Sequence, residues 1–400
     1  MYELYQRCTV IYSTLPFKTT KVIEGSIKLV LPAESDQKPA DPNVFYNPRM
    51  SLNRDISVLA ARCFQSNLQR SIRIADPLTG SGIRGLRYAA EVDSIDSVLL
   101  NDIESDAALF ALYNILNNNL QDKTDIQCMD ANVFLNLHSI PGKRLDLIDL
   151  DPYGSPATYI DSALRALING GSLAMTATDM AVLCGVKPRP CLRKYGGKPL
   201  RSEYSREVAL RLLFGSLVKS ACKQDMAVNA KFSHSTDHYI RLFVNVNRSA
   251  TEADNTLNEM GYILHCFHCL NRVILKDPAK RGRCSICDSS TALAGPLYLG
   301  RLTDSEFCLN MIAATNSLTK KSNRLSKILS LIKDEVEAPL TYYTVDSICH
   351  RLHKAPPSPN RVIEDLKSQG YYATKTHFDG GGFKTDATIK DITSLLNKLN

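Results

Sequence analysis

The stretch L-D-L-I-D-L-D-P-Y-G-S-P, residues 145–156, decides how this chain is read. Leu145, Leu147, Ile148 and Leu150 form an apolar run of strand length, preceded by Pro141-Gly142. Such a run suits the buried middle of a parallel sheet. It ends in Asp151, Pro152, Tyr153 and Gly154. Ser155 followed by Pro156 reads as an N-cap and first-turn pair, which predicts a helix from there through Ile160, Leu164 and Leu167. Strand, acidic-aromatic turn and helix, in that order, put the turn at the carboxyl edge of a sheet, where open α/β folds bind ligands.

An acid, a rigid proline and an aromatic at that edge suit one chemistry. The exocyclic amino group of a nucleobase is a weak nucleophile, because its lone pair is delocalised into the ring. A carboxylate and a backbone carbonyl accepting its two N–H bonds localise that pair, and an aromatic face stacks on the base. The motif alone leaves a second reading open: an ordinary strand-turn-helix connection whose Asp caps the helix.

Upstream, residues 71–75 form a short strand ending in Asp76, followed by P-L-T-G-S-G-I-R-G-L-R. Gly80, Gly82 and Gly85 spell G-x-G-x-x-G ahead of a helix containing Leu86, Tyr88 and Ala89, and residues 98–100 are a second strand ending in Asn101-Asp102. Glycines that let the backbone approach a ligand, with an acid beyond the next strand, are the parts of a nucleotide-binding βαβ unit. A helix over 104–119 and a strand over 125–129 ending in Asp130-Ala131 continue the alternation, and residues 145–150 supply the fourth strand. Residues 171–176 are a fifth, running into A-T-D-M-A-V-L-C-G. A basic loop then carries Lys187, Arg189, Arg193, Lys194, Lys198 and Arg201, and a helix over 202–222 precedes a final antiparallel pair. His234 and His238 in that hairpin are expected to be structural or solvent-facing. Seven strands with the last antiparallel is the sheet of class I methyltransferases, a Rossmann-like α/β fold.

Two ligands compete for the glycine loop. A dinucleotide needs its pyrophosphate cradled at the helix N-terminus, and a row of acids at the strand ends opposes that charge. Asp76, Asp102, Asp130 and Asp151 form such a row. They suit the sulfonium, ribose and amine of a reaction that uses S-adenosylmethionine.

The chain has 400 residues, 44% of them apolar, enough for two cored domains. The net charge of +7 is compatible with a nucleic-acid partner. No apolar stretch has the length of a membrane span, and the opening M-Y-E-L-Y-Q-R-C-T-V lacks a secretory apolar region. An intracellular place, cytoplasm or nucleus, is expected, and the 12 cysteines read as reduced thiols. Four of them are set apart. Cys266, Cys269, Cys284 and Cys287 give C-x2-C-x14-C-x2-C, the spacing of a structural zinc ribbon with four thiolate ligands and no open position. Between residues 270 and 333 there are eleven Lys/Arg against four acids, an excess equal to the net charge of the whole chain. Beyond residue 341, two helices around P-P-S-P and a hairpin are loosely winged-helix-like.

F-Y-N-P-R-M-S-L-N-R-D, A-D-P-L-T-G-S-G-I-R-G-L-R, N-D-I, D-L-D-P-Y-G-S-P, T-A-T-D, the cysteine quartet and T-H-F with K-T-D occur here in one order. Together they resemble the tRNA (guanine-26, N2)-dimethyltransferase family, from about residue 20 to the C-terminus. The resemblance implies two methyl transfers from S-adenosylmethionine to the exocyclic N2 of guanine-26, with tRNA as partner and no protein or membrane partner. By position, Arg54, Arg84, Asp102, Asp130 and Ala131 match cofactor contacts, joined by Asp76, Gly80 and Gly82 of the loop. Asp151 matches the acceptor of the guanine amine, with the Pro152 carbonyl assisting. Phe45 and Tyr153 match the aromatic pair that sandwiches the extruded base, Tyr153 standing where the family usually has Phe. The implied division is a cofactor-binding catalytic domain over 1–250 and a smaller α+β tRNA-binding domain with Zn2+ over 251–400. Two rivals remain at this stage: an adenine-N6 methyltransferase, which shares the acid-or-amide, proline, aromatic turn, and a non-catalytic zinc RNA-binding protein.

Overall fold

The computed structural model describes residues 19–33, 44–318 and 322–399. The N-terminal decapeptide, most of the expected loop after residue 32, and Lys320 and Lys321 of the basic stretch lie outside them. Compactness divides the chain into two units. The first is Met1–Pro152, Tyr159–Met175 and Ala313–Ser326; the second is Tyr153–Thr158, Thr176–Ile312 and Lys327–Asn400.

In the first unit the antiparallel strands β1 (Thr19–Glu24) and β2 (Ile27–Pro32) precede helix α1 (Ser51–Leu68). Strands and helices then alternate: β3 (Ile72–Asp76), α2 (Ile83–Glu91), β4 (Ile95–Asp102), α3 (Ser105–Asn117), β5 (Thr124–Cys128), α4 (Ala131–Leu137), β6 (Leu145–Leu150), α5 (Ile160–Ala166) and β7 (Leu167–Ala177). Period-two apolar positions flanked by glycine and asparagine turns give the strands, and the 3.6-residue repeats between them give the covering helices. All six residues of β6 are buried, as expected of a central parallel strand.

The seven-stranded sheet runs β5-β4-β3-β6-β7-β9-β8, where β8 (Met226–Thr236) and β9 (Tyr239–Arg248) form the antiparallel hairpin of the second unit. This is the α/β sheet that the sequence predicts. From β3 the chain steps outward to β4 and β5, then returns so that β6 lies beside β3, with Ile74 opposite Leu147 and Ala75 opposite Ile148. At such a reversal the helices leave to opposite faces and a crevice opens beyond the strand ends. Asp76 ends β3 and Asp151 follows the last residue of β6, so both acids stand at this edge.

One local expectation fails. Ser155 and Pro156 do not start a helix; α5 begins at Ile160 with Tyr159 at its N-cap, and Leu167 already belongs to β7. Within the second unit, Gly154 is clasped by Thr178: its N–H donates to Thr178 Oγ1 at 2.7 Å, and its carbonyl accepts from the Thr178 N–H at 2.9 Å. The chain leaving the D-P-Y-G turn is held as a loop, and a locally good Ser-Pro start is overridden.

The rest of the second unit includes helices α6 (Pro188–Tyr195) and α7 (Ser205–Cys222), and a small sheet β11-β10-β12 made of Arg272–Leu275, Met260–His265 and Ala292–Tyr298. Its last part is α8 (Val345–Leu352), α9 (Pro359–Ser368), a short sheet β13-β15-β14 (Tyr343–Thr344, Gly382–Thr385, Ala373–Lys375) and α10 (Ile389–Lys398). Two helices followed by a hairpin match the winged-helix-like expectation. Val345, Ile348, Val362, Leu366, Phe383 and Ile392 form its core, and Leu270 from the cysteine ribbon is buried among them.

Candidate active site and metal centre

The glycine loop between β3 and α2 is built by carboxylates from below. Asp76, 1% exposed, accepts from Thr79 Oγ1 at 2.9 Å and from the Gly85 N–H at 3.1 Å. Gly80 (φ +53°) and Gly82 (φ +84°) are in the left-handed region, which a side chain rarely adopts. A Cβ on Gly80 would also stand 2.9 Å from the Phe45 carbonyl oxygen. The Gly80 N–H donates to Asp102 Oδ2 at 2.8 Å, and the Ser81 N–H donates to the Phe45 carbonyl at 3.3 Å. Asp130 caps α4, accepting from the Asn132 and Val133 N–H groups at 2.9 and 3.1 Å, and Ala131 opens that helix. Asp102 is half-buried and Asp130 exposed. Beside them Ile103 and Val133, which the sequence reading did not single out, are 61% and 52% exposed.

The two arginines matched to cofactor contacts are engaged by acids. Arg54 makes a two-pronged pair with Glu24 at 2.5 and 2.6 Å and donates to the Asn47 carbonyl at 3.0 Å. Arg84 pairs with Asp151 Oδ2 through Nη2, lies 3.5 Å from Asp149 Oδ2 through Nη1, and donates to Ser57 Oγ at 2.6 Å. The Tyr88 hydroxyl donates to Asp149. Three carboxylates, from Asp76, Asp149 and Asp151, thus act on one buried guanidinium. Burial pushes the Asp76 carboxyl up to about 7, with neighbouring Asp149 and Asp151 adding to the rise and Arg84 opposing it.

This donor set answers the choice of ligand. Both arginines are neutralised inside the fold, so neither is a spare cation for a pyrophosphate, and the acids at the edge favour a cation and hydroxyls. The residues fit S-adenosylmethionine. They also dispose of the capping alternative, since Asp151 lies well before the N-cap of α5 at Tyr159. Phe45 is 54% and Tyr153 94% exposed, and the Pro152 side chain is buried. Asp149, Tyr88 and Ser57 escaped the sequence reading. For Asp149 a signal existed, because residues two apart along a strand share a face, so the first acid of D-L-D points the same way as Asp151.

In the ribbon the four Sγ atoms of Cys266, Cys269, Cys284 and Cys287 lie within 4.8 Å of one another. Cys266 and Cys287 are 3.5 Å apart, Cys269 and Cys284 3.4 Å. Tetrahedral thiolates about 2.3 Å from a zinc ion would stand at nearly that separation. The two halves repeat one turn. The Leu270 N–H donates to the Cys266 carbonyl and the Asp288 N–H to the Cys284 carbonyl, both at 2.9 Å, with Leu270 (φ +62°) and Asp288 (φ +54°) left-handed. The donor chemistry and the paired turns fit Zn2+.

Other expectations divide. His234 is fully buried, its Nδ1 2.8 Å from Thr236 Oγ1, and His238 is exposed, so one is structural and the other solvent-facing. Arg272, counted in the basic excess, has a side chain only 5% exposed. It pairs with Glu203 at 2.5 Å, lies over the rings of Tyr204 and Tyr343 at 4.1 and 3.8 Å, and donates to the Tyr342 carbonyl at 2.6 Å. Counting charges along the chain assigns it to the surface, whereas it bolts the ribbon strand in place. Lys280 and Arg281 beside the ribbon are exposed and make no ion pair among the described residues, whereas the exposed Arg283 pairs with Asp288 at 2.9 Å.

A family profile described as N2,N2-dimethylguanosine tRNA methyltransferase matches residues 25–397. Over 389 residues the chain is 39% identical to a tRNA (guanine(26)-N(2))-dimethyltransferase from Methanobrevibacter smithii, a match covering 96% of this chain and 98% of the relative. It is 33% identical to a tRNA (guanine(26)-N(2)/guanine(27)-N(2))-dimethyltransferase from Aquifex aeolicus, covering 94% and 96%. A solved complex of Trm1 from Pyrococcus horikoshii with S-adenosyl-L-methionine superposes with a TM-score of 0.83 at 34% identity, covering 94% of this chain and 99% of that one.

Proposed function

The chain belongs to the N2,N2-dimethylguanosine tRNA methyltransferase family, and from that premise we propose how its residues divide the work. The enzyme transfers two methyl groups to the exocyclic N2 of guanine-26 of tRNA. S-adenosylmethionine, when bound, supplies an electrophilic methyl on a sulfonium. The glycine loop with Gly80 and Gly82 gives it backbone access, and Asp102, Asp130 and Ala131 line its nucleoside end. Asp76 lends negative charge from beneath the loop, and Arg54 and Arg84 hold the surrounding carboxylates in place.

The target guanine leaves its stack, at roughly a few kcal/mol, and is held between Phe45 and Tyr153. Asp151 and the Pro152 carbonyl accept the two N–H bonds of the amine, which restores lone-pair density to nitrogen. As the new N–C bond forms and the S–C bond breaks, Asp151 takes the proton the nitrogen releases. A second round repeats this on the monomethyl product with its one remaining N–H. The observation that carries this reading is Asp151 at the reversal point of the sheet, paired with Arg84 and placed eight residues before the N-cap of α5 at Tyr159.

Cys266, Cys269, Cys284 and Cys287 hold Zn2+ as a structural clamp, and the exposed cations around it grip tRNA phosphates inside the cell, positioning the substrate without reading its sequence. Nucleoside mass spectrometry of unmodified tRNA incubated with the protein and S-adenosylmethionine tests the assignment. Dimethylguanosine arising through a monomethyl intermediate is expected, lost when guanine-26 is replaced by adenine. Methyladenosine in its place would transfer the site to the adenine-N6 chemistry.

A further inference from the structure

The basic loop singled out in the sequence has no part in the chemistry above. Between residues 178 and 203 the chain carries six cations, Lys187, Arg189, Arg193, Lys194, Lys198 and Arg201, against two acids, Asp179 and Glu203. Both acids are already engaged: Asp179 with Lys194 Nζ at 3.4 Å and the Tyr195 hydroxyl at 2.6 Å, and Glu203 with Arg272. None of the other five cations makes an ion pair among the described residues, and all five are exposed. Helix α6 turns Cys191 and Tyr195 inward, so Arg189 and Arg193, four residues apart, share its outer side. Val186 and Leu192 are 57% and 56% exposed on the same segment.

The segment is also braced against the catalytic turn, all within the second unit. Asp179, which holds Tyr195 and Lys194, directly follows Thr178, the residue that clasps Gly154 on both its N–H and its carbonyl. The Lys187 N–H donates to the Ala181 carbonyl at 2.9 Å, closing the loop between clasp and helix. Five exposed cations with no acidic partner among the described residues leave a positive face that attracts a polyanion, and the bracing fixes its position.

Resting on the reading of the chain as a tRNA methyltransferase, we propose that the outer face of helix α6, with Lys187, Arg189 and Arg193 at its centre, binds the tRNA backbone beside the target nucleotide. It is a second RNA contact, separate from the cations of the cysteine ribbon. Phosphates meet the guanidinium and ammonium groups, and the exposed Val186 and Leu192 cover sugar or unstacked base. Held by Asp179, the face keeps a fixed relation to the turn that carries Tyr153.

The test is a triple variant, Lys187→Gln/Arg189→Gln/Arg193→Gln, in the full-length protein; Lys194 is spared because it pairs with Asp179. Binding of a tRNA transcript bearing guanine-26 is titrated at several KCl concentrations. The slope of log affinity against log salt is expected to fall by roughly two to three, the contribution of three phosphate contacts. Calorimetric affinity for S-adenosylmethionine should be unchanged, which shows the variant is folded. The charge-preserving variant Lys187→Arg/Arg189→Lys/Arg193→Lys should keep the wild-type slope. An unaltered slope in the neutral variant overturns the proposal and leaves the helix a solvated face; a lost slope in the charge-preserving variant overturns it as well. If the wild type binds tRNA but methylates none, the functional reading falls while the slope still decides the surface. If it methylates tRNA and the slopes agree, only the surface falls.

Discussion

Asp151→Asn separates the charge of the proposed catalytic carboxylate from its shape. In the wild type the Arg84 side chain is 5% exposed and faces two acids, Asp151 and, at 3.5 Å, Asp149. The Asn variant keeps an amide oxygen for one N–H of guanine, but it has no basic site for the released proton. Arg84 keeps Asp149 and Ser57, and the loss of its charge-assisted hydrogen bond to Asp151 costs roughly 1.5–3 kcal/mol. The rate should fall roughly 10²–10⁴-fold, the typical contribution of a positioned general base, equivalent to about 3–5 kcal/mol of barrier. Arg84→Gln is the contrasting perturbation. It strips the cation from Asp149, which is fully buried, and from Asp151, and breaking a buried pair from one side costs about 3–5 kcal/mol. Single-turnover transfer of a labelled methyl group gives the chemical step, with calorimetry for cofactor affinity and thermal melts for stability. The expected pattern is a slow but stable Asp151→Asn enzyme that binds cofactor within a few-fold of wild type, and an unstable Arg84→Gln one. Near-wild-type turnover in Asp151→Asn refutes the base role, and no capping role is left to explain the residue.

Elemental analysis should find one zinc per chain, and Cys266→Ser should lower the melting temperature, because metal binding at a closed four-thiolate site is folding free energy. A metal-free protein of equal stability would remove the zinc assignment. Asp76, with its carboxyl pushed up to about 7 chiefly by burial, titrates in the working range. Its folded value lies above the usual carboxylate one, so its contribution to stability is complete at acid pH and fades as pH rises through about 7. A bound sulfonium favours the ionised form. Affinity for S-adenosylmethionine should therefore rise between pH 6 and 8, by at most about tenfold per pH unit, while affinity for the demethylated product, a thioether without the sulfonium charge, changes less. Equal pH profiles for the two would show that Asp76 does not act on the sulfonium.

What the sequence discloses follows from the range of the forces involved. An apolar run closed by an acid announces a parallel strand and its carboxyl edge within a dozen residues, and two C-x2-C pairs announce a metal turn within four. Each signal is local, so the sheet and the cysteine cluster are legible before any coordinates. The pairing of Arg84 with Asp149 and Asp151 is a contact across more than sixty positions, and nothing within helix α2 says that its first turn will meet the end of β6. Ser155-Pro156 shows the same limit from the other side. The pair is a sound helix start in isolation, and the clasp of Gly154 by Thr178, twenty-four residues on, outweighs it. Arg272 is the sharpest case. Its charge is visible in the sequence, but the ring of Tyr204, the ring of Tyr343 and the carboxylate of Glu203 come from both sides of it along the chain. Composition measures charge, whereas binding RNA requires charge that has no internal partner. On that criterion Arg272 drops out of the basic excess as an RNA contact, whereas Lys187, Arg189 and Arg193 meet it.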